Sequence, residues 1–153
     1  MSNHAEIQDL IRYHFRRPDL LYEATLAAGA SMRKGIDGDV QGNKPLALIG
    51  DALIRLDVAV RSYDHGVKTA ESGHILAAAG SNQNLEALGR QLGIAGSITK
   101  NTAKNVEVPR TTLASTVEAL IGAVWVDSEN NFSQVQEAIE ALGITEPFWD
   151  SLS

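Results

Sequence analysis

The sequence predicts a single all-α domain spanning residues 1–153. Several segments repeat apolar residues at steps of three and four, the spacing of one face of an α-helix. The composition, with 44% hydrophobic and 5% aromatic residues, is typical of a compact helical protein rich in small aliphatic side chains. The longest periodic segment runs from Asn43 to Tyr63, with Pro45 near its start, where proline removes no helical hydrogen bond. Its predicted buried stripe is Leu46, Ile49, Leu53, Leu56 and Val60.

The N-terminal half is predicted to begin with two shorter helices. Residues 5–17 form the first, which Pro18 ends, and the apolar stripe after Asp19 forms the second. Residues 32–42 are rich in glycine, aspartate and charge, which indicates a loop before the long helix.

The C-terminal half is predicted to add further helices. Residues 69–93 give one or two, with Ser81 or Asn82 as an N-cap, and polar residues 97–110 form a linker. A strong apolar helix begins near Thr111, and a closing helix covers residues 132–142.

Composition narrows the classes of function. The formal net charge is −6, so the chain lacks the basic surplus typical of proteins that bind phosphate backbones. The absence of cysteine excludes disulfides and thiolate metal sites. No apolar run is long enough to span a bilayer or to form a signal peptide, so we expect no membrane association and an intracellular, cytoplasmic protein.

The long helical segment, NKPLALIGDALIRLDVAVRSY, resembles the signature helix of ribonuclease III, whose usual form is N-E-R-L-E-F-L-G-D. Asn43, Leu46, Gly50 and Asp51 match this motif. The two family glutamates are replaced by Lys44 and Ala47.

Three further segments extend the resemblance to about residues 8–144. YHFRRPDLLYEATLAAGAS is similar to the family's opening pattern, and SNQNLEALGRQLGI to a middle one. TLASTVEALIGAVWVD resembles the second family motif, L-A-D-A-F-E-A-L-I-G-A-x-x-x-D. The resemblance implies the ribonuclease III endonuclease-domain fold, without the family's double-stranded RNA-binding domain, and a symmetric homodimer joined through the signature helices.

The resemblance also implies a site for Mg²⁺, which hydrolytic enzymes hold with carboxylate oxygens. Its four positions fall on Ala47, Asp51, Ser115 and Glu118, so each helix has lost one carboxylate. Asp51 and Glu118 are catalytic remnants, and we expect weak metal binding or none. From the residues alone, Asp51 could instead pair with Arg55 one turn later, and Glu118 could face solvent.

We therefore expect a catalytically inactive ribonuclease III-like protein. The alternatives are a residual metal-dependent endonuclease for double-stranded RNA, and a non-catalytic protein that binds such RNA or associates with ribosomes. The acidic charge favours weak, salt-dependent RNA binding at most. A ribosome-associated protein of this family would be expected to have a basic surface or a targeting segment, and the sequence shows neither.

The signature helix is also expected to carry a dimer interface. Leu46, Leu48 and Ile49 are predicted to lie in an apolar surface larger than one core stripe needs, and such a surface typically marks an interface. In the family, an aromatic residue at the position of Leu48 inserts into the partner subunit. The smaller leucine predicts a weaker dimer.

Overall fold

The computed structural model describes residues 4–29, 41–99 and 108–150, and these residues are mainly helical. The loop predicted at 32–42 and the linker predicted at 97–110 lie mostly outside the described residues. The all-α prediction is confirmed: in the described part the β-structure is one isolated parallel bridge between Leu26 and Thr99. The helices are α1 His4–Ile11, α2 Pro18–Ala24, α3 Lys44–Asp64, α4 Thr69–Ala79, α5 Asn82–Gln91, α6 Arg110–Asp127, α7 Phe132–Leu142 and α8 Glu146–Asp150, with a 3₁₀ turn at Ile94–Ser97.

Local chemistry explains most of the helix boundaries. The predicted N-cap Ser81 is confirmed, since its hydroxyl accepts a hydrogen bond from Asn84 N at the start of α5. α1 ends at Ile11 and not near residue 17, because Arg12 has a φ of 55°, in the left-handed region that stops an α-helix. α6 begins at Arg110, directly after Pro109 and without a side-chain cap.

α6 is the central helix of the domain. It is apolar on almost all sides, as expected for a helix surrounded by others, and it packs against α2, α3, α5 and α7. Its side chains that are fully removed from solvent include Leu113, Val117, Leu120, Ile121 and Val124.

The backbones of α3 and α6 approach each other closely where these two helices cross. A Cβ atom at Gly50 of α3 would overlap the carbonyl oxygen of Glu118, and one at Gly122 of α6 would overlap the carbonyl oxygen of Leu46. Glycine is therefore required at both positions by space. The pairing of residue 46 with 122 and of 50 with 118 shows that the two helices run antiparallel at this point.

Asn43 fixes the start of α3. Its side chain is 2% exposed, and Nδ2 donates to Ala24 O at 2.9 Å and to Thr116 Oγ1 at 3.0 Å. Its backbone N–H donates to Leu26 O at 2.8 Å. The signature asparagine thus ties α2, α3 and α6 together and sets the register of α3 against α6.

Asp127, the last residue of α6, holds the segment between α1 and α2. Its carboxylate accepts hydrogen bonds from Tyr13 Oη at 2.7 Å, Arg16 N at 2.8 Å and Arg17 N at 2.9 Å. Burial alone would raise the pKa of Asp127, but these hydrogen bonds outweigh it and hold the pKa below its usual value. The second family motif therefore ends in a structural carboxylate.

The exposed side of α3 differs in part from the prediction. Leu46 is only 4% exposed, because α3 turns it towards α6, so its prediction as part of an exposed interface is wrong. Leu56, predicted to be buried, is 46% exposed. We call the exposed stripe along this helix the outer face of α3; it comprises Leu48, Ala52, Leu56, Ala59 and Tyr63. Among the described helices, none combines the length and apolar character of a membrane-spanning segment.

Candidate functional site

The two remaining carboxyl groups of the predicted site meet at the crossing of α3 and α6. Gly50 lies against the backbone of Glu118, which brings Asp51, the next residue of α3, beside the Glu118 side chain. The two carboxyl groups share a hydrogen bond. The structure therefore brings Asp51 and Glu118 together, and Glu118 is partly buried there.

A hydrogen bond between two carboxyl groups requires a proton on one of them. Burial, the hydrogen bond to Asp51 and the charge of Asp51 raise the pKa of Glu118 to about 8, while the charge of Arg55 acts in the opposite direction. Near neutral pH, Glu118 is accordingly mostly protonated and donates to Asp51.

Asp51 also forms the ion pair that its spacing predicted. Arg55 Nε lies 3.3 Å from Asp51 Oδ2, one helical turn along α3. Both side chains are well exposed, at 62% for Arg55 and 40% for Asp51, so the pair contributes little to stability. The carboxylate thus has two partners, a protonated acid on one side and a guanidinium on the other.

The other two predicted positions carry no charge. Ala47 lies one turn before Asp51 and is 7% exposed, and its methyl group has no donor atom for a metal. Ser115 lies one turn before Glu118 on α6 and is partly buried. Within residues 4–29, 41–99 and 108–150, no cluster of three or more Asp, Glu or His side chains has the arrangement of a metal site.

This donor set does not fit a pair of divalent cations. Two Mg²⁺ ions bring four positive charges, and the site offers two carboxyl groups, one of which already pairs with Arg55. Binding even one ion would require loss of the shared proton and displacement of the guanidinium.

A cleft of about 280 Å³ opens beside this pair, between α3 and α4. On the α3 side it is lined by Asp51, Ile54 and Arg55. The opposite side carries no charge; it is lined by Gly73, Leu76 and Ala77 of α4 and by Gly80, which directly follows this helix. The family resemblance implies one further glutamate, whose position falls on Glu71 or Ser72 of α4. Glu71 is exposed, and Ser72 Oγ donates to Lys68 O at 3.2 Å.

A second polar cluster, which sequence reasoning missed, lies at the far end of α3. Asp57 is 2% exposed and accepts a hydrogen bond from Gln136 Nε2 at 3.0 Å. Burial raises the pKa of Asp57, and the hydrogen bond from Gln136 and the charge of Arg61 oppose the rise. Arg61 Nη1 also lies 3.0 Å from Glu146 Oε1, and its guanidinium sits over the ring of Trp149. The i, i+4 spacing of Asp57 and Arg61 was the available signal, and this cluster attaches α8 to α3.

Glu118→Gln should remove a pH dependence of stability. A carboxyl group whose folded-state pKa is raised stabilises the fold below its unfolded pKa and loses that contribution as pH rises through the folded pKa. The stability of the native protein relative to Glu118→Gln should therefore fall between pH 4.5 and about pH 8. Urea unfolding of both proteins across this range measures the effect. A constant difference between the two would show that Glu118 does not hold the shared proton.

Comparison with known proteins agrees with this geometry. A family model described as the Ribonuclease III domain matches residues 44–129, more than half of the chain. The chain is 29% identical over 129 residues to "Ribonuclease 3" of Idiomarina loihiensis, covering 81% of this chain and 53% of that protein. It therefore spans about half the length of that curated relative.

Solved structures show the same fold. The nuclease domain of ribonuclease III from Campylobacter jejuni superposes with a TM-score of 0.78 at 22% identity, covering 97% of both chains. A second structure of that domain, described as showing flexibility in the region involved in dimer formation, gives a TM-score of 0.76 at 19% identity, covering 93% of this chain and 97% of the other. The family model matches more than half of the chain, over residues 44–129, and the shared fold and the crossing of α3 and α6 agree with this match. This chain therefore belongs to the ribonuclease III domain family.

Proposed function

We propose that this chain is a ribonuclease III-like domain that does not cleave RNA and acts through binding to protein or RNA, as a homodimer. The observation that carries the proposal is the crossing of α3 and α6, where this chain keeps two carboxyl groups, Asp51 and Glu118, and lacks the other two ligands that the resemblance implies. Ala47 and Ser115 supply no charge to replace those ligands.

Electrostatics explains why the loss of two carboxylates should prevent metal-dependent cleavage. In two-metal hydrolysis the ions clamp the attacking and leaving oxygens of the phosphodiester, so both must be held at once. Here two carboxyl groups, Asp51 and Glu118, stand against two divalent ions. A Lys44 side chain at the start of α3 is exposed and adds positive charge close in sequence to this region.

A cleavage assay on long double-stranded RNA with Mg²⁺ and with Mn²⁺, run beside a gel shift on the same RNA, tests the proposal. We expect intact RNA with either metal, and at most weak binding that added salt abolishes. Metal-dependent cleavage would favour a residual endonuclease. Tight binding at physiological salt without cleavage would favour a double-stranded RNA-binding or ribosome-associated role.

The outer face of α3 supports the dimer. Leu48 is 73% exposed, Leu56 46% and Tyr63 88%, and they share one side of a single helix. A self-complementary contact about a two-fold axis covers both copies of such a stripe. The similar C. jejuni nuclease domain is described as having a region involved in dimer formation, which is compatible with a homodimer.

Leu48→Asp should dissociate this dimer. The substitution places an unpaired charge within the proposed contact, at a cost of about 3 kcal/mol or more. Light scattering across a concentration series measures the change, and Ala87→Asp, at an exposed position of α5, is the matched control that should leave the dimer intact. A native protein that is monomeric at about tens of micromolar, where a weak specific interface still holds, would rule the dimer out.

A further inference from the structure

Arg55 is a cation already present beside the carboxyl pair. It follows Asp51 by one helical turn, its Nε lies 3.3 Å from Asp51 Oδ2, and both residues line the same cleft. A guanidinium keeps its charge at any pH that proteins tolerate. The negative charge of Asp51 is therefore balanced within α3 itself.

We infer that Arg55 serves as the built-in cation of this site and takes the electrostatic place that a divalent metal ion would need. The inference rests on the proposed function and extends it, because it assigns the weak metal binding to a cation that is present as well as to the two carboxylates that are missing. Restoring the missing carboxylates would then not be enough to restore metal binding while Arg55 is present.

The surroundings of Arg55 support this role. Among the described residues that line the cleft, Asp51 is the one acid, and the α4 wall opposite carries no charge. The other arginine in the second half of α3, Arg61, is held by Glu146, Thr145 and the ring of Trp149. The two arginines therefore have separate tasks, since Arg61 attaches α8 and Arg55 faces the carboxyl pair.

A metal ion at Asp51 would have to displace this guanidinium and then lie within a few ångströms of its charge. At a separation of about 4 Å, repulsion between a dication and a unit charge lowers metal affinity on the order of tenfold, even with the screening of bulk water. Arg55 is 62% exposed, so replacing it removes the charge without opening the core.

The test is Mn²⁺ binding, followed by loss of the free-ion electron paramagnetic resonance signal. Arg55→Gln is compared with the native protein and with Arg17→Gln. Arg17 is a matched control, because it is 60% exposed, lies 3.2 Å from the carboxylate of Asp19, and is outside the cleft. The same comparison is repeated with Ser115→Asp, which adds a third carboxylate at a partly buried position and leaves the buried Ala47 unchanged.

Arg55→Gln should tighten Mn²⁺ binding about tenfold in at least one of these two backgrounds, while Arg17→Gln should leave it unchanged. The inference is overturned if Arg55→Gln has no effect in either background, or if Arg17→Gln produces the same gain, since the effect would then reflect net charge alone. Cleavage of RNA by the native protein would overturn the proposed function, whereas the comparison of Arg55→Gln with Arg17→Gln tests the role of Arg55 separately.

Discussion

Gly122→Ala should lower the free energy of unfolding by about 3 kcal/mol or more, the upper end of the range for overpacking. The added methyl group would overlap the carbonyl oxygen of Leu46 and lie 3.2 Å from Gly50 N. Both neighbours are backbone atoms of a helix, which cannot rotate away as a side chain can. α3 and α6 would have to separate at the crossing that holds the carboxyl pair.

Gly73→Ala is the matched control, measured by urea unfolding beside Gly122→Ala. A Cβ at Gly73 meets no atom within 4 Å, and the residue lies inside α4, where alanine is favoured over glycine. We therefore expect a neutral or slightly stabilising change, up to about 1 kcal/mol. Equal changes in the free energy of unfolding for Gly122→Ala and Gly73→Ala would show that the backbones of α3 and α6 do not lie in close contact at Gly122.

Asp127→Ala should cost about 3 kcal/mol, because it leaves the hydroxyl of Tyr13 and the backbone N–H groups of Arg16 and Arg17 without their acceptor. Asp64→Asn, at an exposed position at the end of α3, is the control and should change stability by less than about 0.5 kcal/mol. Unfolding in urea near neutral pH measures both.

The pH dependence of this contribution has a definite sign. The folded-state pKa of Asp127 is lowered. Its contribution to stability is therefore present at pH values above the unfolded-state pKa of 3.8, and it is lost as the pH falls through the folded-state pKa. The difference in stability between the native protein and Asp127→Asn should therefore shrink in acid below pH 3.8. A difference that grows in acid would contradict the assignment of Asp127 as a buried, ionised acceptor.

The sequence was sufficient for the helical fold, because its apolar periodicity reflects the helices directly. α7 begins and ends where predicted, and α3 differs by one residue at each end from the segment Asn43 to Tyr63. Periodicity failed where several faces of one helix are apolar. On α3 the buried side also includes Gly50, Ile54 and Val58. It is therefore rotated about the helix axis relative to the predicted stripe, and Leu56 lies outside it.

The site was predicted through the resemblance, and its chemistry was only partly foreseen. The meeting of Asp51 and Glu118 follows from motif spacing, whereas their shared proton depends on the glycine crossing that presses α3 onto α6. The i, i+4 spacing of Asp51 and Arg55 predicts their ion pair as an alternative to a site role, and the structure shows that Asp51 has both partners. The cluster around Asp57 joins residues far apart in sequence, which local patterns do not reveal.

Single-turnover cleavage of long double-stranded RNA, with the protein in excess over RNA and Mn²⁺ or Mg²⁺ present, tests the absence of catalysis most directly. The native protein and Asp51→Asn are assayed in parallel, so that any contaminating nuclease appears equally in both. We expect the same background degradation from the two proteins with either metal. Metal-dependent cleavage by the native protein that Asp51→Asn abolishes would contradict the account, because Asp51 would then be a working metal ligand.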